Sequence, residues 1–383
     1  PVSLSDWRPR GDFRPAREEL DAVCVNCREP LRIETTAEML PGDRFILDKT
    51  AAPARWSMVA FRKPPERTEI YLQRLVGLGG EHLELARGEV FIDGKLLRKE
   101  PYIATDFWIP LHNTDRVPKR MHDGTPRWRP RDEKRGWHQL GSGWAAEAAG
   151  DEQHSLVFDG AITDALAYNP DWGSRQYVRE HVLGDILVTC TIGSVAGVGS
   201  IRFDWAFGNS TASAEISVSG EVVIQAAASD HERARATGRL SGPLSDGDSL
   251  AFAVRDGQAY VLKNGSLAAL ATFGPDDVES FAPPDENSTA NCELALSVAR
   301  ASLVLDRITL HRDVYYLGAE EVRAGSLGAV SDTWTLEAGE WFMMGDNSAR
   351  SYDSRFFGPA QTSDLLGVAR WVYWPPERWH EMQ

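Results

Sequence analysis

From Gly42 to Tyr102, apolar and polar residues alternate in short runs closed by Gly, Pro or Asp-Gly. A period of two over four to eight residues is the pattern of a half-buried strand, and it predicts strands at 44–48, 58–61, 70–76, 82–85 and 89–92. Asp93-Gly94, set between two apolar runs, predicts a two-residue hairpin turn. Residues 106–150 show neither a period of 2 nor one of 3.6 and are rich in Arg, Trp, Pro and Gly, which predicts a long irregular connector. Alternation resumes from Ser155 to about Asp313, with strand candidates at 183–191, 201–207, 214–217, 221–225, 249–254, 259–263 and 294–298. Strands of that length, parted by polar turns and including an Asn264-Gly265 hairpin signal, suggest a two-sheet sandwich. The last 70 or so residues return to the earlier style, with strands at 340–344 and 366–373 around a tight Gly345-Asp346-Asn347 turn. Helical spacing is confined to 15–22 and 145–149.

One β domain therefore reads as interrupted by another. The expected units are an N-terminal segment at 1–28, a first core part at 29–105, a connector at 106–154, an inserted sandwich at 155–313 and a second core part at 314–383. Charge narrows the partners: 41 basic against 56 acidic residues leave a net charge of -15, which repels phosphate backbones and excludes nucleic acid. No run of 18 apolar residues occurs, so no membrane span is predicted within these residues. A start at Pro1 without Met is read as the loss of upstream sequence. Four cysteines are too few for a disulfide framework, and only Cys24 and Cys27 lie close together. Their spacing is that of one zinc knuckle, half of the four-ligand set a structural zinc requires.

Three stretches, in order, resemble the boxes of type I signal peptidases, serine peptidase family S26. The first is Pro41-Gly42-Asp43-Arg44-Phe45-Ile46-Leu47-Asp48-Lys49. The second runs Tyr71-Leu72-Gln73-Arg74-Leu75-Val76-Gly77-Leu78-Gly79-Gly80-Glu81 and continues through Gly88-Glu89-Val90-Phe91-Ile92-Asp93-Gly94-Lys95. The third, Gly345-Asp346-Asn347-Ser348-Ala349-Arg350-Ser351-Tyr352-Asp353-Ser354-Arg355-Phe356-Phe357-Gly358, is similar to a Gly-Asp-Asn box almost letter for letter. The resemblance implies a mostly β, signal-peptidase-like core split by an insert. It also implies a leader-peptide endopeptidase tethered by an N-terminal membrane anchor, with its body on the extracytoplasmic side of a bacterial inner membrane and the leader of a secretory preprotein as its partner.

Such enzymes use a Ser nucleophile and a Lys base, and the lysine works only when burial lowers its pKa by roughly three units, about 4 kcal/mol. Residue by residue, the resemblance puts the base at Gln73, which has no lone pair basic enough to take a proton, and the adjacent Arg74 stays protonated. No serine box precedes Gly42; Thr35 and Thr36 stand where a remnant of it would fall. Ser351 would orient the base, and Asp353 with Arg355 would form a bracing charge pair. Gly345, Asp346 and Asn347 would form the turn, read as needing positive φ. The expected protein is a catalytically degenerate homologue. The alternatives are an active peptidase whose serine lies upstream of Pro1, and glycan or partner binding by the insert.

The insert resembles a concanavalin-like or laminin-G-like jelly roll, at the level of pattern alone. Trp172, Trp205 and Tyr260 are its candidate sugar-stacking rings. His154, His181 and His311 lack metal-ligand spacing. No cofactor is expected, other than a structural zinc on Cys24 and Cys27 in a longer parent.

Overall fold

The computed structural model describes residues 19–23, 30–34, 43–101, 107–116, 127–132, 136–160, 162–164, 181–228, 233–274, 292–319, 322, 332–348 and 351–382. The protein is mostly β, a core made of two sheets interrupted by a β-sandwich. Seven strands form the larger core sheet, in the order Ala360–Gln361, Glu340–Met344, Ile70–Leu78, Met58–Arg62, Leu365–Trp374 and His380–Glu381, with Arg44–Asp48 also pairing on Leu365–Trp374. Asp332–Thr335, His82–Ala86, Glu89–Ile92 and Lys95–Leu96 form the smaller sheet. Each core sheet thus joins segments from both sides of the insert.

Ile70–Leu78 runs through the middle of the larger sheet and is buried from Gln73 to Gly77. Successive side chains point to opposite faces. Leu75 therefore packs with Val59, Phe61 and Met343 on one side, while Val76 joins Leu83, Leu85, Val90, Phe342 and Met344 between the two sheets. The register against Glu340–Met344 slips between Phe342 and Met343, which brings Gly77 to the same layer as Val76, and a Cβ there would stand 2.7 to 2.9 Å from Leu336, Leu83 and Phe342. The hairpin signals hold as well: Asp93 and Gly94 have φ of 52° and 77°, Asn264 and Gly265 of 50° and 79°.

The sandwich is built on two long antiparallel strands, Ile186–Phe207 and Glu293–Arg312, whose register shifts near Ile192 and between Gly197 and Ser200. On one side of that bend Ile186–Phe207 pairs with Ser210–Ser217, followed by Glu221–Ala227 and Ala234–Arg239. On the other it pairs with Ser249–Arg255, followed by Gln258–Lys263 and Ser266–Thr272. The two halves share one apolar core, in which Phe203 and Phe252 stack with centroids 5.5 Å apart.

Three expectations need correction. The stretch read as an irregular connector holds Ile109–Asn113, Trp128–Pro130, Trp137–Leu140 and Gly143–Glu147, all joined to the sandwich sheet. Residues 145–149 are not helical: Trp144 to Glu147 pair with Leu305 to Ser302, and ladder bonds with burial of Ala146 override the helix propensity of the alanines. The N-terminal helix expected at 15–22 is replaced, where described, by Glu19–Val23, which pairs with Pro30–Glu34 in a two-stranded sheet. Cys24 and Cys27 lie outside the described residues, as do Thr35, Thr36 and Trp172.

Candidate active site

Gln73 enters the site from Ile70–Leu78, opposite Val59 in register, and its side chain is buried. Its Nε2 donates to the Tyr352 carbonyl at 3.0 Å and lies 3.3 Å from Ser351 Oγ. That donor is therefore committed, and the other amide atom, Oε1, is buried without a hydrogen-bond partner. Gly345 packs against Ser351 and Gln73. None of Gly345, Asp346 and Asn347 has a positive φ, contrary to the expectation for this turn. The glycine is demanded by contact instead: a Cβ at Gly345 would stand 2.2 Å from Ser351 Oγ and 2.8 Å from its Cβ.

Arg355 and Asp353 make a bidentate pair with Nε–Oδ1 and Nη2–Oδ2 both at 2.8 Å, and neither side chain is exposed. Asp353 also caps the one-turn helix Ser354–Phe357 by accepting from the Arg355 amide, and it accepts from the Gly345 amide at 3.2 Å. The far side of the guanidinium donates to Leu317 O at 2.6 Å and to Ser348 O at 2.8 Å. One side chain thus joins the box loop, the helix and the chain returning from the insert. Ser354 Oγ adds a tie by accepting from the Met343 amide at 2.9 Å.

A second ion pair escaped the sequence reading. Arg74, 2% exposed, forks onto Asp346 through Nε at 2.8 Å and Nη2 at 2.7 Å, donates to Trp56 O at 2.7 Å, and lies over the Phe107 ring at 4.0 Å. Both residues stood in quoted boxes, but a pairing across 272 positions has no local signature. It locks the second box to the third.

Two lysines flank the site. Lys63 lies 5.6 Å from the Tyr352 ring centre, and its hydrogen bond to Glu66 raises its pKa. Lys99 lies 5.6 Å from the Trp56 ring centre; burial alone would lower its pKa, but Asp256, Asp313 and Glu89 outweigh that and hold it well above the usual value. Both remain charged at neutral pH, so neither is a free-amine base.

In the insert, Trp205 and Tyr260 are core residues at 5% and 1% exposure, and the Trp205 indole donates to Gly184 O at 2.9 Å. They offer no ring face to a sugar. An open cleft of about 1190 Å³ crosses the sandwich beside Arg129, Arg202, Arg233 and Arg235.

The family profile described as signal peptidase, peptidase S26, matches residues 23–122 and 297–374, somewhat under half of the chain. That match supports the S26 family. The two matched segments contain every described strand of both core sheets except His380–Glu381, together with the Gln73, Ser351 and Asp353–Arg355 geometry. No curated protein matches the chain. Among solved structures, similar chains include a carbohydrate-binding module, CBM66, from Bacillus subtilis (12% identity, 48% of this chain and 95% of that one, TM-score 0.29). A Bacillus subtilis protein with a galectin-like fold (10%, 53% and 96%, 0.31) and an endo-β-galactosidase from Clostridium perfringens (9%, 58% and 67%, 0.35) are also similar. Overlays this loose carry no functional argument. Among the described residues, no helix is long and apolar enough to cross a membrane.

Proposed function

We propose that the chain is a signal-peptidase homologue that keeps a scaffold for an extended leader peptide but lacks the amine needed to activate a hydroxyl. The observation that carries this reading is Gln73: a buried amide, bonded to Tyr352 O and 3.3 Å from Ser351 Oγ, stands where the family resemblance places a lysine. An amide cannot accept the proton of an attacking alcohol near neutral pH. The bracing pair Asp353–Arg355 holds the loop rigid without taking part in proton transfer, so it serves a binding groove as well as an enzyme. Peptide recognition would use strand pairing, with pockets for alternate side chains. By the same resemblance the body would lie at the outer face of a bacterial inner membrane. The exposed rings of Trp371, Tyr373, Trp374 and Trp379 and the exposed Ile46 support that placement, since such side chains suit a lipid interface.

The test is a leader-bearing preprotein incubated with the protein at neutral pH, alongside anisotropy of a labelled leader peptide. Binding without turnover is expected. Gln73→Lys lengthens the side chain by one atom and places an amine beside Ser351 in a buried site, and a general base of this kind contributes roughly 10² to 10⁴ in rate. Cleavage by the unmodified chain would overturn the reading.

A further inference from the structure

Trp128–Pro130, His154–Phe158, Glu293–Arg312, Ile186–Phe207, Ser210–Ser217, Glu221–Ala227 and Ala234–Arg239 lie side by side in that order in the sandwich. Phe203, Ala214 and Ile224 point from these strands into the apolar core, so their neighbours in sequence face away from it. The open cleft crosses this outward face and is lined from all seven strands. A single line of register runs from Arg129 on the first strand through Ala295, Asp204, Ser213 and Gln225 to Arg235 on the last. Six strand spacings of about 4.8 Å put the ends of that line roughly 29 Å apart.

Charge gathers there against the trend of the molecule. Arg129, Arg131, Arg202, Arg233 and Arg235 line the cleft with Asp159, Asp204 and Glu293, an excess of two positive charges on a chain of net charge -15. Arg202 Nε is held 2.8 Å from Asp204 Oδ1, and Arg129 Nε lies 3.1 Å from Asp159 Oδ2. Arg131, Arg233 and Arg235 are exposed and enter no ion pair among the described residues. Guanidinium groups thus stand at both ends of the cleft and on its middle strand, and each is a fork that takes a carboxylate through two hydrogen bonds. A ligand that satisfies them carries anionic groups repeated along its length.

The floor selects among polyanions. Between the arginines it is built of Ala206, Ala227, Ala295, Thr211 and Ser213, with the amide of Gln225. The rings that reach the cleft, Phe158 and Trp205, pack with the core layer, so no free ring face is offered to a nucleobase or to a neutral sugar. Strands inside a sheet spend their backbone donors and acceptors on the ladders, which leaves none to pair with an extended peptide, and side chains this small form no apolar pocket for one. Hydroxyl and amide groups for sugar hydroxyls, with arginine forks for carboxylates, are what remains. We propose that this face of the insert binds an acidic polysaccharide, a uronate chain laid across the strands from Arg129 towards Arg235. None of these residues belongs to the core sheets, so the assignment is independent of any chemistry at Gln73.

Polygalacturonate and alginate are the probes, titrated by calorimetry into the full chain at about 0.05 M salt, beside fully methyl-esterified polygalacturonate, polyglutamate and single-stranded DNA. Saturable binding of at least one polyuronate is expected, weakening at about 0.5 M salt as the exposed charges are screened. The ester, polyglutamate and DNA should each bind at least about tenfold more weakly. Combining Arg233→Gln with Arg235→Gln should reduce affinity for the polyuronate at least about tenfold, with unchanged thermal melts because both side chains are exposed. Arg239→Gln with Arg300→Gln removes the same charge from exposed positions outside the cleft and should change affinity less than about twofold. No binding of either polyuronate, equal binding of the ester, polyglutamate or DNA, or an equal loss in the Arg239 and Arg300 variant would each overturn the proposal.

Discussion

Replacing Arg355 with Met probes the tie that sets the Ser351 loop against the rest of the core. The guanidinium spends two donors on Asp353 and the others on Leu317 O, Ser348 O and Ser348 Oγ, all in a region without solvent access. Methionine fills similar volume but leaves the Asp353 carboxylate buried with only the Gly345 and Arg355 amides, both at 3.2 Å. Removing one partner of a buried ion pair costs about 3–5 kcal/mol. The orphaned carbonyls belong to the same network, so their loss is counted within that range and not added to it. With a urea dependence of about 2 kcal/mol per molar, the midpoint of the core transition should fall by roughly 2 M. Tryptophan fluorescence in urea reads it, and the insert's transition serves as an internal reference if the two separate. Asp353→Asn combined with Arg355→Met removes the stranded charge and should recover a good part of the loss. An Arg355→Met cost under about 1 kcal/mol, or single-variant costs that simply add in the double variant, would refute the view that charge pairing rigidifies this loop.

Two further outcomes follow from single contacts. Gly345→Ala should destabilise by about 1–3 kcal/mol, because the new methyl collides with Ser351; adding Ser351→Gly removes the obstruction and should restore most of the midpoint, and failure to do so would assign the glycine another role. For His311, burial lowers the imidazole pKa, with a backbone contact at Leu187 opposing in part. The unfolded chain then takes up the proton more readily than the folded one, so this residue's contribution is intact above about pH 6.5 and is lost as pH falls below it. The midpoint difference between the unmodified protein and His311→Gln should shrink from pH 7.5 to 5.0, and a constant difference would show that the residue is not held neutral.

The amino-acid sequence by itself determined where the core strands lie, since period-two alternation is written locally: Glu89–Ile92 and Glu340–Met344 appear where the pattern put them. It determined the two hairpins, whose Asp-Gly and Asn-Gly pairs tolerate positive φ. The flanking box also fixes the register of Gln73 against the signal-peptidase resemblance, which is what the proposal of a missing amine rests on. Tertiary structure decided the rest. The strands at 109–147 have weak patterns of their own and exist because Ile186–Phe207 and Glu293–Arg312 run through the sandwich; Glu293–Arg312 offers its ladder to 109–113 and 143–147. Whether Ala145 is helical or extended was settled by a partner more than 150 residues away. The Arg74–Asp346 pair, the need for glycine at 345 and the gathering of Arg129, Arg202 and Arg235 along one cleft are likewise facts of distance in space. Local spacing encodes a residue's preference for a backbone shape, whereas charge pairing and steric exclusion act between atoms that only the folded chain brings together.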